Sequence, residues 1–421
     1  MVGIIGLGYV GLPLALAFAE AGLKVLGFDI QQRRVDLVNR GESYISDASS
    51  ERLLSAVNDG LLAATTEQQR LSEVDCVCIC VPTPLTRTKE PDLSSVIKET
   101  RALSRHLRQG QLVVLESTTY PGTTEDVVFP ILERSGLKCG TDFYLAYSPE
   151  RLDPGNRGLH FKNTPKIVAG IDPHSTELAH QLYAHIAEVI FPVSSPRVAE
   201  MTKVFENVFR SVNIALVNEM AQLCERMGIS IWEVIDAAST KPYGFMPFHP
   251  GPGVGGHCIP LDPYYLASKA REYDFHTRFI ELAGEINESM PYYVVSRIAD
   301  ALNEQGKSLK DSRILVLGVT YKRDVADLRE SPALKLIHLL VQREALVMYN
   351  DPYIAARSIP VEGATAAEVS EDVLSSSDCV VIATDHSCYD YQYIARHARM
   401  VFDTRGVTRG LKRNNVVRLG E

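Results

Sequence analysis

Short apolar runs alternate with segments of helical spacing from Val2 to about Val193. The runs Val2–Ile5, Lys24–Asp29, Val74–Val81, Gln111–Glu116, Phe143–Ala146, Lys166–Ala169 and Val189–Val193 predict strands. Their alternation with helical segments implies βαβ units and a mostly parallel sheet. After Ser194-Ser195-Pro196 the period changes. Val198, Met201, Phe205, Val208, Val212, Ala215, Met220, Leu223 and Met227 recur at helical intervals and predict one long helix. Helical spacing resumes from Tyr264 to about Asn303, and strand-helix alternation returns after Gly306-Lys307. There Ile314–Leu317, Ala345–Asn350, Cys379–Ala383 and Met400–Asp403 predict a second open sheet. Asp75-Cys76-Val77-Cys78-Ile79 is echoed by Asp378-Cys379-Val380-Val381-Ile382, so the pattern reads as a repeated architecture.

The first predicted strand runs into Gly6-Leu7-Gly8-Tyr9-Val10-Gly11, and the second closes on Asp29. In this spacing the first glycine permits a tight turn, the second lets backbone approach a pyrophosphate, and the third lets helix and strand pack closely. The following helix, Leu12 to Ala21, would aim its free N–H groups at the phosphates. A carboxylate at Asp29 suits a ribose diol and repels a 2′-phosphate, which favours NAD; Arg33 and Arg34 keep NADP open. The fold class that follows is α/β: two Rossmann-like open-sheet domains joined by a helical middle domain with a long central helix. The expected boundaries are 1–195, 196–305 and 306–421. The second sheet lacks the three-glycine fingerprint, so a nucleotide-bearing substrate is its natural ligand, with a purely structural cap as the alternative.

Composition narrows the classes. At 421 residues two or three domains are expected, and 45% apolar residues can fill their cores. A net charge of −9 argues against nucleic acid as the main partner. No apolar run approaches the roughly 20 residues needed to cross a bilayer. Val10 to Ala21 resembles a signal-peptide core, but no basic stretch precedes it and glycines interrupt it, so no leader is expected. The eight cysteines lack zinc spacing and no metal is expected; they fit a reducing, cytoplasmic setting. Cys76, Cys78 and Cys80 read as core packing.

Several positions carry candidate chemistry. Lys203 and Asn207 stand at i and i+4 on the long helix, on a face distinct from the apolar stripe. Cys258 follows the glycine-proline loop Gly251–Gly256 and His257, with Asp262 four residues on. A thiolate on such a loop is a nucleophile candidate, and Lys203 could supply the positive surroundings it needs. Glu116-Ser117-Thr118-Thr119-Tyr120-Pro121-Gly122-Thr123-Thr124 follows an apolar strand at the edge where open α/β sheets bind ligands. Thr118 is a candidate there, whereas Thr123 and Thr124 read as capping and turn chemistry. Tyr147-Ser148-Pro149-Glu150-Arg151 ends another strand and sets Glu150 where it can activate water.

Taken together these motifs resemble the UDP-glucose/GDP-mannose 6-dehydrogenase family over essentially the whole chain. The likeness rests on Gly6–Gly11, Val81-Pro82-Thr83-Pro84, Ser117-Thr118, Ser148-Pro149-Glu150, Lys203 with Asn207, Gly255-Gly256-His257-Cys258 and Tyr321-Lys322-Arg323-Asp324. The resemblance implies an NAD-dependent four-electron oxidation of a sugar C6 alcohol to a carboxylate, through a thiohemiacetal and a thioester on Cys258. It assigns Lys203 and Asn207 to the C6 oxyanion, Asp262 with a water held by Thr118 to the proton, and Glu150 to thioester hydrolysis. It implies a cofactor site of Gly6, Gly8, Tyr9, Val10, Gly11, Asp29, Arg34, Pro82, Thr83 and Thr118. It implies substrate contacts from Glu150, Arg151, Lys203, Asn207, Gly255, Lys322 and Arg405, and a homodimer formed through the helical middle.

The substrate is narrowed by departures from the UDP-glucose pattern. Those enzymes usually read Ser-Pro-Glu-Phe-Leu-Arg-Glu, where this chain has Arg151-Leu152-Asp153-Pro154-Gly155-Asn156 after Glu150, and Leu261 replaces their lysine before the aspartate. Lys241-Pro242-Tyr243-Gly244-Phe245-Met246-Pro247 through Pro260 is similar to the branch acting on UDP-N-acetylglucosamine. UDP-glucose and UDP-N-acetylmannosamine stay open as substrates. So do two other classes: a two-electron hydroxyacid dehydrogenase, which would not need Cys258, and a catalytically silent NAD-binding protein.

Overall fold

The computed structural model describes all of residues 1–421 except 46, 87, 154, 156, 157, 159, 257 and 355–358. Its residues pack into two compact units, 1–206 with 264–276 and 207–263 with 277–421.

The first unit is built on an eight-stranded sheet. In chain order the strands are β1 (Val2–Ile5), β2 (Val25–Phe28), β3 (Leu62–Thr65), β4 (Cys76–Ile79), β5 (Leu112–Leu115), β6 (Tyr144–Tyr147), β7 (Lys166–Gly170) and β8 (Ile190–Pro192). They lie side by side as β3-β2-β1-β4-β5-β6-β7-β8. All pairings are parallel except β6 with β7, where Tyr147 faces Ala169. The central strands are apolar throughout because helices cover both faces of such a sheet. Ile4, Cys78 and Val114 point into one core, and Ile5, Val77 and Val113 into the other. Cys78 and Cys80 are buried, and burial pushes both thiols well up, as core packing implies.

The second unit carries a six-stranded parallel sheet of β9 (Arg313–Leu317), β10 (Leu346–Asn350), β11 (Ala364–Ala366), β12 (Cys379–Ile382), β13 (Val401–Asp403) and β14 (Val416–Arg418), ordered β11-β10-β9-β12-β13-β14. The repetition expected from the sequence is real in the strand order. The echoed segments, β4 and β12, each flank the first strand of their sheet. The first crossings match in detail as well. Gly6 and Gly318 both take left-handed backbone, and a Cβ on them would meet Cys80 O at 2.6 Å and Thr384 O at 2.4 Å. Asp29 accepts the Leu7 N–H at 3.0 Å, and Asp351 accepts those of Val319 and Thr320 at 2.7 and 2.9 Å.

The long helix is Pro196–Met227, followed by helices Ile231–Ser239, Asp262–Arg271 and Arg278–Glu304. Its apolar positions fall on two faces rather than the single stripe expected. Ala199, Val204, Val208, Ala215, Ala221 and Cys224 are buried, whereas Val198, Met201, Phe205, Phe209, Leu216, Met220, Leu223 and Met227 are exposed. No helix among the described residues is long and apolar enough to cross a membrane.

Candidate active site

In the first unit the glycine turn has the features a dinucleotide needs. A Cβ at Gly11 would stand 1.9 Å from Gly6 O, so the helix Gly11–Glu20 can lie this close only without a side chain there. A Cβ at Gly8 would meet nothing within 4 Å, so the middle glycine borders open space. No side chain caps that helix and no acidic residue sits in its first turn, which leaves its N-terminus suited to an anion. Asp29 is fixed by the N–H groups of Leu7 and Gln31, at 3.0 and 2.9 Å, and by Arg34 at 3.3 Å. These residues fit an NAD adenosine and pyrophosphate.

Two further loops leave the same sheet edge. The Ser117 hydroxyl bonds both the N–H and the C=O of Val81, at 3.0 and 2.8 Å, which ties the ends of β4 and β5 together. Thr83 then donates to Thr118 O at 2.7 Å, and the Tyr265 hydroxyl donates to Thr83 O. Pro82 is exposed and Thr118 half-buried.

After β6, Glu150 is anchored by one oxygen. Its Oε1 accepts from Arg151 N and Leu152 N at 2.7 and 2.6 Å. Its Oε2 is buried with no hydrogen bond among the described residues, 3.8 Å from Lys166 Nζ. Lys166, which the sequence reading passed over, donates to Glu116 Oε2 at 2.8 Å and to Pro149 O at 3.1 Å. Tyr183 donates to the other oxygen of Glu116. Burial pushes the Glu116 carboxyl up, and it stays raised although Lys166 pulls it down. Burial alone would lower Lys166, but Glu116 and Glu150 hold it above its ordinary value. Arg151 is engaged by Glu206 and Pro165 O.

On the long helix, Lys203 is only 8% exposed, and its ammonium makes no hydrogen bond or ion pair among the described residues. One turn earlier, the buried Glu200 accepts from Gly122 N, Thr124 N and the Thr124 hydroxyl at 2.5, 2.8 and 2.7 Å. Burial pushes its carboxyl up to about 7. This latch was also missed; its only sequence trace is an acidic residue among the apolar positions of a helix.

In the second unit the cysteine loop is pressed onto the other predicted substrate residues. A Cβ on Gly251 would stand 2.8 Å from Arg405 Nη1, one on Gly255 2.7 Å from both Glu330 O and the Tyr321 side chain, and one on Gly256 2.7 Å from the Tyr321 ring. Glycine therefore brings the loop against the segment carrying Lys322 and against Arg405. A buried amide relay holds the loop's start: Asn287 donates to Ser211 O, Asn218 to Asn287, and Gly251 N to Asn218, all near 3.0 Å. Cys258 is half-buried, and its carbonyl accepts from Asp262 N at 2.8 Å. Asp262, 1% exposed, accepts from Asn207 Nδ2. Arg405 donates to Ala383 O at 2.8 Å. His257 of this loop, and Pro154 and Asn156 after Glu150, lie outside the described residues. Among the described residues no group of three or more His, Cys, Asp or Glu is disposed to hold a metal.

Comparison with known proteins covers almost the whole chain. Models of the UDP-glucose/GDP-mannose dehydrogenase family match residues 1–187 (NAD binding domain), 197–289 (central domain) and 315–410 (UDP binding domain). The chain is 37% identical to a UDP-N-acetyl-D-glucosamine 6-dehydrogenase of Pseudomonas aeruginosa, over 92% of this chain and 90% of that one. It is 36% identical to an NDP-N-acetyl-D-galactosaminuronic acid dehydrogenase of Ralstonia nicotianae, over 96% of each. The solved UDP-D-ManNAc dehydrogenase of Pyrococcus horikoshii superposes with a TM-score of 0.90 at 33% identity, over 100% of this chain and 99% of that one.

Proposed function

The chain belongs to the UDP-glucose/GDP-mannose dehydrogenase family of NAD-dependent nucleotide-sugar 6-dehydrogenases, and from that premise we propose that it oxidises C6 of UDP-N-acetylglucosamine to the carboxylate. The observation that carries the chemistry is the assembly around Cys258. The thiol stands on a glycine loop against Tyr321 and Arg405, one turn ahead of an Asp262 held by Asn207.

NAD bound at the glycine turn supplies the hydride acceptor for both oxidations. Lys203 and Asn207 stabilise negative oxygen at C6. An amide has two N–H donors, so Asn207 can be fixed by Asp262 through one and still present the other. The buried Lys203 ammonium, without a partner among the described residues, is suited to the same oxyanion. Asp262, with a water held by Thr118, takes the hydroxyl proton. Cys258 Sγ adds to the aldehyde carbon, and oxidation of the thiohemiacetal leaves a thioester. Glu150, with one oxygen anchored and the other without a hydrogen bond among the described residues, draws a proton from water as the new C–O bond forms and the C–S bond breaks.

The acetamido sugar rests on the Lys241–Pro260 stretch and on relatives that carry that name. Relatives named for other N-acetylated sugars are similarly alike, so the substrate is settled by assay. The purified protein is tested with UDP-N-acetylglucosamine, UDP-N-acetylmannosamine, UDP-N-acetylgalactosamine and UDP-glucose, counting NADH. Preferred turnover of the first with two NADH per sugar is expected; faster UDP-glucose turnover would overturn the sugar assignment. The same reading takes the parts 1–195, 196–305 and 306–421 as dinucleotide, central and nucleotide-sugar domains of a cytoplasmic homodimer. Pairing of two chains through the exposed apolar face of the long helix is supported by Phe205, Leu216 and Met227, each more than half exposed at 63%, 55% and 61%.

A further inference from the structure

Lys166 opens β7, the one strand of its sheet that runs against its β6 neighbour. That reversal sets the start of β7 beside the end of β6, at the sheet edge where the loops of open α/β sheets gather around ligands. Extending the register from Tyr147 opposite Ala169 brings Lys166 opposite Glu150. Lys166 is 4% exposed, and taking an ammonium this far out of water carries a large desolvation penalty. Stability does not require such a pair, since an apolar pair of similar volume often serves as well. Its ammonium meets three oxygens: Glu116 Oε2 at 2.8 Å, the Pro149 carbonyl at 3.1 Å and Glu150 Oε2 at 3.8 Å. The second of these fixes the residue immediately before Glu150.

We propose that Lys166, balanced between Glu116 and Glu150, is the positioning residue that holds and aims the hydrolytic carboxylate of Glu150. This rests on the reading of Glu150 as the base for thioester hydrolysis. The charged and titratable groups around Glu150 among the described residues are Lys166 on β7, Glu116 after β5, Tyr183 on the helix Pro173–Tyr183, Cys78 and Cys80 at β4, and Arg151 with its partner Glu206. Burial keeps the two thiols and Tyr183 neutral. Among the described residues Lys166 is therefore the cation within 4 Å of Glu150 Oε2, and Glu116 competes for it. In the hydrolytic step water's oxygen bonds C6, its proton goes to Glu150, and the electron pair of the C–S bond leaves with sulfur.

The test follows decay of the acyl adduct on Cys258 by rapid quench and intact-protein mass spectrometry across pH, using the nucleotide sugar of the panel that wild type oxidises fastest. Glu116→Gln leaves Glu150 as the carboxylate beside Lys166 among the described residues, and the acidic limb of adduct decay moves down by about one pH unit. Lys166→Met combined with Glu116→Gln removes the cation without stranding Glu116 as a second buried carboxylate. The limb then moves up by about one unit and decay slows by about 10- to 100-fold, whereas Lys166→Arg restores most of the rate. A structural role alone would not give shifts of opposite sign. If the double variant does not fold, the downward shift in Glu116→Gln and retention of rate in Lys166→Arg decide the matter. Limbs that stay in place while Glu150→Gln slows decay would overturn the role of Lys166. Unchanged decay in Glu150→Gln would instead overturn the assignment of Glu150 on which it rests.

Discussion

Replacing Lys203 with methionine separates catalysis from stability in a way few substitutions can. The side chain is 8% exposed, and its ammonium has no anionic or hydrogen-bonding partner among the described residues. Holding a charge there works against folding, by a few kcal/mol in comparable buried sites. Methionine has a similar length and no charge to desolvate, so Lys203→Met is expected to be at least as stable as wild type, with a gain on the order of 1 kcal/mol. Catalysis should move the other way. If the ammonium stabilises negative oxygen at C6 in both oxidations, its loss removes one oxyanion donor, about 3–4 kcal/mol or roughly 100- to 1,000-fold in kcat. NADH formation at saturating sugar gives kcat, and urea unfolding gives stability on the same preparation. The KM for NAD should change little. A variant within about threefold of wild-type kcat, or one that loses stability while keeping its rate, would refute this reasoning and reduce Lys203 to a structural residue.

Asp29→Asn leaves one carboxamide oxygen where two carboxylate oxygens accept from Leu7, Gln31 and Arg34. The KM for NAD should rise by roughly tenfold, and NADP should become usable as Arg34 is released; unchanged preference in steady-state assays would contradict the assignment of Asp29. Glu200 has a folded value near 7 against an ordinary 4.5. Its stabilising contribution is thus full below about 4.5 and lost as pH rises through 7, about 3 kcal/mol in all. Urea midpoints of wild type and Glu200→Gln at several pH values should diverge over that window, and parallel curves would count against it. Leu223→Glu sets a charge in the exposed apolar face of the long helix. Sedimentation should show a dimer weakened by about 100-fold or more; an unchanged species would place any pairing elsewhere.

The parts of the fold legible in the sequence were those with strong periodic signals. Fully apolar runs marked the central strands, and Gly6, Gly11 and Asp29 meet the steric and hydrogen-bonding demands that their spacing implied. Strands β3, β11 and β14 escaped notice because Leu62-Ala63-Ala64-Thr65, Ala364-Thr365-Ala366 and Val416-Val417-Arg418 are short segments at or beside sheet edges, with little apolar bulk. The long helix misled in another way. A helix with one face on its core and another exposed satisfies a helical apolar period twice, and the period alone cannot assign Val208 to the first and Leu223 to the second. Lys166 was invisible for a topological reason. A lysine opening a strand reads as a solvated end, and only the reversed direction of β7 turns that end toward Glu150. Asn207 and Asp262, by contrast, were named from spacing and resemblance, and they share a hydrogen bond.

A covalent sugar adduct at Cys258 is the central intermediate of the proposed reaction. Wild type and Glu150→Gln, quenched during turnover with NAD and the preferred nucleotide sugar, are digested and the Cys258 peptide is weighed. The predicted result is a thioester-linked sugar nucleotide on that thiol, transient in wild type and accumulating in Glu150→Gln. Steady formation of the uronic acid with the Cys258 peptide unmodified at every time point, or undiminished acid formation by Cys258→Ala, would contradict it.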